Sequence, residues 1–316
     1  MPDANGSPGP VEEKSSHAIL VVGSVNRDYV CRVEAIPRAG ETVLGARLSL
    51  GSGGKGGNQA VAAAKMGVRT ALVACVGSDP DGRALLADLT AAGVDVDDVA
   101  TVDDTRSGVA FVMVAKDGEN SIVVAPGANE RLDPGSVRAA IARGLRGGDV
   151  LVVQAEIPLA CIVSAVTEAE RRAGRVVFNL APYRDVPADV LAACDPLVIN
   201  EGEARALLGI GEADRDGDAA EMAALIRRLT RSAVITLGAS GAVVAYGEEV
   251  RHVPTSEVAA VDTTGAGDAF TGALAAALCR GAGLVPAVEL GVAAGSFAVG
   301  RPGAQSSFPT LAELSG

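Results

Sequence analysis

The chain has 316 residues, 48% hydrophobic and 21% charged, which is a globular balance and excludes wholesale disorder. Its 27 Lys and Arg against 39 Asp and Glu give a net charge of −12, so it repels a phosphate backbone and nucleic acid is not an expected partner. Aromatic residues are only 3%, Trp is absent, and no apolar run reaches the ~20 residues of a membrane-spanning helix.

This length suits one large domain, or one large and one small. Residues 1–16 are polar and rich in Gly, Pro and Ser, and read as a flexible tail rather than a signal peptide. The apolar run 18–22 predicts a buried strand, followed by a loop over residues 23–28. Residues 29–50 mix short apolar pieces with Pro37 and Gly40 and predict hairpin-like strands. A glycine loop over 51–57 leads into an Ala-rich helix over 58–66, stopped by Gly67. A strand over 70–76 and a helix over 81–92 follow. Residues 108–115 and 120–125, around a Gly-containing turn, predict a β-hairpin.

From Pro134 onward helices alternate with continuously apolar strands at 150–153, 175–179, 196–199 and 233–237. This is the pattern of an α/β doubly wound fold with a mostly parallel sheet. Segments 29–50 and 108–125 are strand-like without helical partners, and we expect them to form a small projecting β lid. The alternative is that they extend the main sheet as edge strands. With the lid set apart, residues 17–28, 51–107 and 126–316 would form the main α/β domain. The five cysteines, Cys31, Cys75, Cys161, Cys194 and Cys279, are odd in number and far apart, as expected of free thiols in a reducing cytoplasm. With only His17 and His252, a His-centred triad or His-rich metal site is not expected.

The strongest motif is D-T-T-G-A-G-D-A-F from Asp262 to Phe270, opening an Ala-rich helix. Gly265, Ala266 and Gly267 let the backbone approach a ligand and present helix N-terminal amides, which favour an anion. Asp268 sits in the first turn. A helix cap would explain a lone Asp there, but not the three small residues before it. An anion hole beside a carboxylate suits phosphoryl transfer to a hydroxyl, with Asp268 accepting the proton. The second motif, G-S-G-G-K-G-G-N-Q from Gly51 to Gln59, contains G-x-G-x-x-G, the dinucleotide fingerprint, but carries Lys55 inside the turn, and the N-terminal strand-loop at Gly23 lacks that fingerprint. Lys55 precedes Gly56 rather than Ser or Thr, so it is not a Walker A loop either. The loop instead suits a small polar ligand approached by its backbone and by Asn58. Asp28, in Asn26-Arg27-Asp28 after the first strand, could accept hydrogen bonds from two adjacent sugar hydroxyls.

In order and spacing, G-S-V-N-R-D, G-G-K-G-G-N-Q-A and D-T-T-G-A-G-D-A-F resemble the signatures of the ribokinase (PfkB) family of carbohydrate kinases. The resemblance runs from about residue 18 to 309. It implies ATP-dependent phosphorylation of D-ribose at O5. Asp28 would bind sugar hydroxyls, with Asn26, Gly54, Lys55, Gly56, Gly57, Asn58 and Glu156 completing the pocket. Asp268 would be the base, and Gly265, Ala266 and Gly267 the anion hole. Asn200 and Glu203 match the N-x-x-E motif that organises Mg²⁺ and phosphates. Thr236, Leu237, Gly238, Ala239, Ser240 and Gly241 match the nucleotide-contacting turn, with Gly267 and Asp268 beside the phosphates. A monovalent cation, K⁺, would be held by Asp262, Ser307 and the carbonyls of Thr264, Ala298, Arg301 and Gly303. The family pattern also implies a homodimer joined through the lids, which would cover their exposed edges.

The chain departs from that pattern at Arg27, where small or apolar residues are frequent, and at Gly202, where Thr is common. Val292 and Ala293 predict apolar, weakly selective contacts to the base. Rivals within the family are a 2-deoxyribokinase and a nucleoside kinase, differing around Asp28, Asn58 and Phe111. Outside enzymes, a non-catalytic sugar or nucleotide sensor is the alternative. A nicotinamide-dependent oxidoreductase is a more distant one.

Overall fold

The computed structural model describes residues 18–43, 47–116, 120–211, 218–256 and 258–315. The expected tail, and most of the turn expected at 116–119, lie outside them. The chain begins with β1 (Ile19–Val22), then β2 (Asn26–Arg32), β3 (Arg47–Gly53), α1 (Lys55–Lys65) and β4 (Thr70–Gly77). Next come α2 (Pro80–Ala91), β5 (Val94–Asp95), β6 (Val99–Val102), β7 (Gly108–Val114) and β8 (Asn120–Ala125). A 3-10 turn (Gly127–Arg131) leads into α3 (Pro134–Gly144), β9 (Val150–Gln154), α4 (Leu159–Arg171) and β10 (Arg175–Asn179). Then follow α5 (Ala188–Ala193), β11 (Cys194–Asn200), α6 (Glu201–Leu208), α7 (Ala219–Arg227) and β12 (Ser232–Thr236). The chain closes with β13 (Ala242–Tyr246), β14 (Glu249–Val253), α8 (Ala266–Cys279), α9 (Leu284–Val299) and α10 (Leu311–Ser315).

The main sheet runs β14-β13-β12-β11-β10-β9-β1-β4-β5, with β6 also paired to β4. From β12 to β5 every pairing is parallel, and β13 and β14 add an antiparallel edge that the sequence reading did not include. β1 and β9 are buried at every position because helices cover both faces. One apolar core lies under α1, α8 and α9, and the other under α3, α4, α5 and α7. β1 pairs with β4 on one side and β9 on the other, so the strand order reverses there. Ligands in open α/β sheets bind at the carboxyl ends of strands at such a reversal.

Segments 29–50 and 108–125 do come together in a separate four-stranded sheet, β3-β2-β7-β8. Its strands extend further than expected. Asn26 to Asp28 is ladder rather than loop, because Asn26 pairs with both Gly53 and Gly108. Likewise Gly51 to Gly53 is strand and α1 begins at Lys55, which reduces the expected glycine loop to Gly54.

Candidate active site

Four chain segments meet at the reversal: the end of β1, the start of β2, the start of α1 and the start of α8. Gly265 caps α8 with φ 75°, a left-handed conformation that side chains disfavour. The Ala266 amide donates to the Thr263 carbonyl at 3.3 Å, and among the described residues the amides of Gly265, Gly267 and Asp268 have no acceptor. Asp268 does not cap its own helix. Its carboxylate is buried and accepts from Asn58 Nδ2 on one oxygen and Gln59 Nε2 on the other, both at 2.9 Å. α8 lies close enough to α1 for this because residue 272 is glycine. A Cβ there would stand 2.5 Å from Cβ of Ala62 and 2.7 Å from the Gln59 carbonyl.

Across from Asp268, β2 directs Asn26 and Asp28 to one face of the small sheet and Arg27 to the other, as strand alternation requires. Asn26 is buried, and its Oδ1 accepts from Asn129 Nδ2 at 2.8 Å. A Cβ at Gly53 would collide with the Asp28 carboxylate. Burial pushes the Asp28 pKa up to about 7, Glu156 and Asp268 add to the rise, and Arg27 opposes it. Glu156 accepts from Ser24 Oγ at 2.5 Å and from the Lys55 amide at 3.2 Å. The Gly57 amide donates to the Ser24 carbonyl at 2.9 Å. These amides therefore hold β1, α1 and Glu156 together. Burial alone would lower the Lys55 pKa, but Asp268, Glu156 and Glu203 outweigh it and raise it.

Arg27 points away from the pocket. Its guanidinium donates to Ser52 Oγ at 3.2 Å and to the Asp88 carboxylate of α2 at 3.3 Å, fastening the small sheet to the main body. Phe111 also lies on the far face: it is half exposed and its ring sits 5.7 Å from that of Tyr29. It therefore does not shape the pocket as expected. Ala110, paired with Asp28, occupies the pocket face instead.

A cavity of about 820 Å³ runs from the β12–β13 turn to Gly267 at the start of α8. Thr236, Gly238, Ala239 and Gly241 line it as expected. Leu237 and Ser240 are outside its lining and close the turn, the Leu237 amide donating to the Gly241 carbonyl at 2.8 Å. Val258, Phe270, Val292 and Val299 make the far end apolar, with Thr255 and Ser296 hydrogen-bonded to each other. Sequence reading missed Thr255, Val258 and Ser296, which no motif marks.

Asn200 and Glu203 form a reciprocal cap on α6: the Glu203 amide donates to Asn200 Oδ1 at 2.8 Å and the Asn200 amide to Glu203 Oε2 at 2.9 Å. Burial raises the Glu203 pKa, opposed by the Asn200 amide and Lys55. Asp262 accepts from the Thr264 and Gly303 amides, each at 3.0 Å. Burial alone would raise the Asp262 pKa, but these bonds and that of the Thr264 hydroxyl hold it below the usual carboxylate range. The Ala298 carbonyl accepts from the Arg301 amide at 3.0 Å, and the buried Ser307 hydroxyl donates to Ala304 at 2.7 Å. Among the described residues no cluster of His, Cys, Asp and Glu forms a metal cage, and no helix is long and apolar enough to cross a membrane.

The pfkB family carbohydrate kinase model matches residues 16–311. The chain is 37% identical to the ribokinase of Haemophilus influenzae over 295 residues, 93% of this chain and 96% of that one. The crystal structure of ribokinase from Thermotoga maritima superposes with a TM-score of 0.85 at 34% identity, covering 95% of this chain and 98% of that one. Arabidopsis thaliana ribokinase complexed with ribose and ATP gives a TM-score of 0.81 at 29% identity, over 95% and 97% of the two chains. With its signature motifs meeting at the reversal of strand order, the chain belongs to the pfkB family of carbohydrate kinases.

Proposed function

We propose that this chain transfers the terminal phosphoryl group of ATP to O5 of D-ribose. The carrying observation is the Asp268 carboxylate, held on both oxygens by Asn58 and Gln59 at an open helix N-terminus, between the apolar cavity and Asp28. Asp28 and Asn26 bind sugar hydroxyls, with Glu156, Asn58 and the Gly54–Lys55–Gly56–Gly57 backbone completing the pocket. Asp268 takes the hydroxyl proton. In a loose phosphoryl-transfer transition state that proton leaves late, so a strong base is not needed. The Gly265 and Gly267 amides, with that of Asp268, hold the charge that develops on the transferring group while the Ala266 amide braces the turn, and the Lys55 ammonium adds a counter-charge. The turn from Thr236 to Gly241 holds the nucleotide. β2, β3, β7 and β8 act as a lid over the sugar.

Asn200 and Glu203 would orient a hydrated Mg²⁺ through its waters, which suits an exposed Asn200, a half-buried Glu203 and this ion's reluctance to dehydrate. The ion would neutralise phosphate charge. Asp262 and Ser307, with carbonyls of Thr264, Ala298, Arg301 and Gly303, supply only oxygen donors and one carboxylate, a set suited to K⁺. That cation would order the loop before α8. The exposed small sheet supports a homodimer joined through the lids, and the five free cysteines support a reducing cytoplasm.

The test is ADP release with ATP and Mg²⁺ over D-ribose, 2-deoxyribose, fructose, adenosine and uridine, with and without K⁺, and with Asp268→Asn as control. Ribose should lead, K⁺ should raise the rate, and the Asn variant should lose at least ~10²-fold in kcat. A leading nucleoside or deoxyribose would overturn the sugar reading, and no turnover at all would point to a sensor.

A further inference from the structure

Behind Asp268 lies a chain of buried carboxamides. Gln59 and Gln154 are fully buried, and Asn179 is nearly so. Gln59 Nε2 donates to Asp268 Oδ1 at 2.9 Å and to Asn179 Oδ1 at 3.0 Å, which uses both its hydrogens. Its Oε1 accepts from Gln154 Nε2 at 2.7 Å. Asn179 Nδ2 donates to the Val198 carbonyl of β11 at 3.1 Å.

This order leaves Gln59 one orientation. The Val198 carbonyl accepts only, so Asn179 must turn its NH₂ toward β11 and its oxygen toward Gln59. Gln59 must then present its NH₂ to two acceptors, Asn179 Oδ1 and Asp268 Oδ1. A flipped Gln59 would set its oxygen against both and its NH₂ against that of Gln154. A well-packed apolar side chain would fill the same space without these desolvation costs. The network's distinguishing product is a donor fixed on one oxygen of Asp268.

Resting on the reading of Asp268 as base, we propose that Gln59 is a positioning residue for phosphoryl transfer, its orientation dictated by Asn179, which the Val198 carbonyl fixes in turn. It holds Oδ1 while Asn58 holds Oδ2, which sets the carboxylate plane. Asp28 from β2 and Lys55 from α1 each interact electrostatically with Asp268.

The test uses the full chain with ATP, Mg²⁺, K⁺ and D-ribose, and compares Gln59→Met, Gln59→Glu, Gln154→Met and Asp268→Asn. For Gln59→Met we expect kcat to fall about 10- to 100-fold, within the ~10²–10⁴ that a positioned base supplies. Both KM values should stay within about threefold, because no substrate-binding group is removed. Gln59→Glu keeps the shape and tests the idea even if the Met variant does not fold: it sets an acceptor against Oδ1 where a donor stood, and kcat should fall at least as far with both KM values again within about threefold. Gln154→Met keeps both bonds to Asp268 and should lose less activity. An unchanged kcat in the Glu variant, or a loss that falls on KM rather than on kcat, with Asp268→Asn inactive, would overturn the proposal alone. An active Asp268→Asn enzyme would overturn the base reading and this proposal with it.

Discussion

Asn129 Nδ2 donates to Asn26 Oδ1 at 2.8 Å across 103 positions of sequence. The same Asn129 side chain accepts from the Val25 amide at 2.9 Å and donates to the Val25 carbonyl at 3.3 Å. A residue of the 3-10 turn after β8 thus fixes the start of β2, and with it the direction of Asn26. Asn129→Leu should raise the KM for ribose about tenfold, as expected for losing a buried bond worth roughly 1–1.5 kcal/mol. kcat should change little. Steady-state kinetics with saturating ATP separates the two.

Asp28 is held up to about 7 by burial, Glu156 and Asp268, against 3.8 for an unperturbed carboxyl. A raised folded-state pKa means that the native state holds its proton where the unfolded chain has lost it. The contribution of Asp28 to stability is therefore intact below pH 3.8 and falls away as pH rises toward 7. In the sugar-free protein, Asp28→Asn should match wild type in Tm near pH 4 and exceed it by several degrees at pH 8. Thermal melts across that range check the sign. Ribose binding should weaken as wild type is acidified through neutrality, because protonated Asp28 accepts less strongly.

Gly272 sets the distance between α1 and α8. A methyl group there meets the Gln59 backbone and Ala62 at 2.5–2.7 Å. Gly272→Ala should cost roughly 1–3 kcal/mol of overpacking and lower Tm by several degrees. It should also lower kcat, because separating the helices lengthens both bonds to Asp268. Activity measured well below the new Tm distinguishes misplacement from unfolding.

Leu50, Tyr29, Phe111 and Val123 form one row across all four strands of the small sheet, on the face away from Asp28. Leu50, Phe111 and Val123 are 52–60% exposed. If the lids pair through this face, Leu50→Glu with Phe111→Glu should convert a wild-type dimer to monomer in light scattering. A monomeric wild type at micromolar concentration would remove the dimer proposal.

Much of the architecture is legible in the sequence because it rests on local signals. Continuous apolar runs mark parallel strands buried on both faces, and small residues before Asp268 mark a helix start that can face an anion. Asn58 and Gln59 are adjacent in the same motif as Lys55, so two partners of Asp268 stand in plain sight as a pair of letters. Their roles do not. Which oxygen each one holds depends on α8 lying against α1, and the orientation of Gln59 depends on Val198, 139 positions beyond it in the chain. Phe111 shows the same division. Alternation along β7 divides its side chains into two sets, but only pairing with β2 decides which set faces the sugar, and a one-residue shift would exchange them. Local periodicity and glycine spacing therefore determined the elements and the signature loops. Register, helix contact and buried hydrogen bonding across distant segments decided which side chains meet, because those depend on packing that no short window of sequence contains.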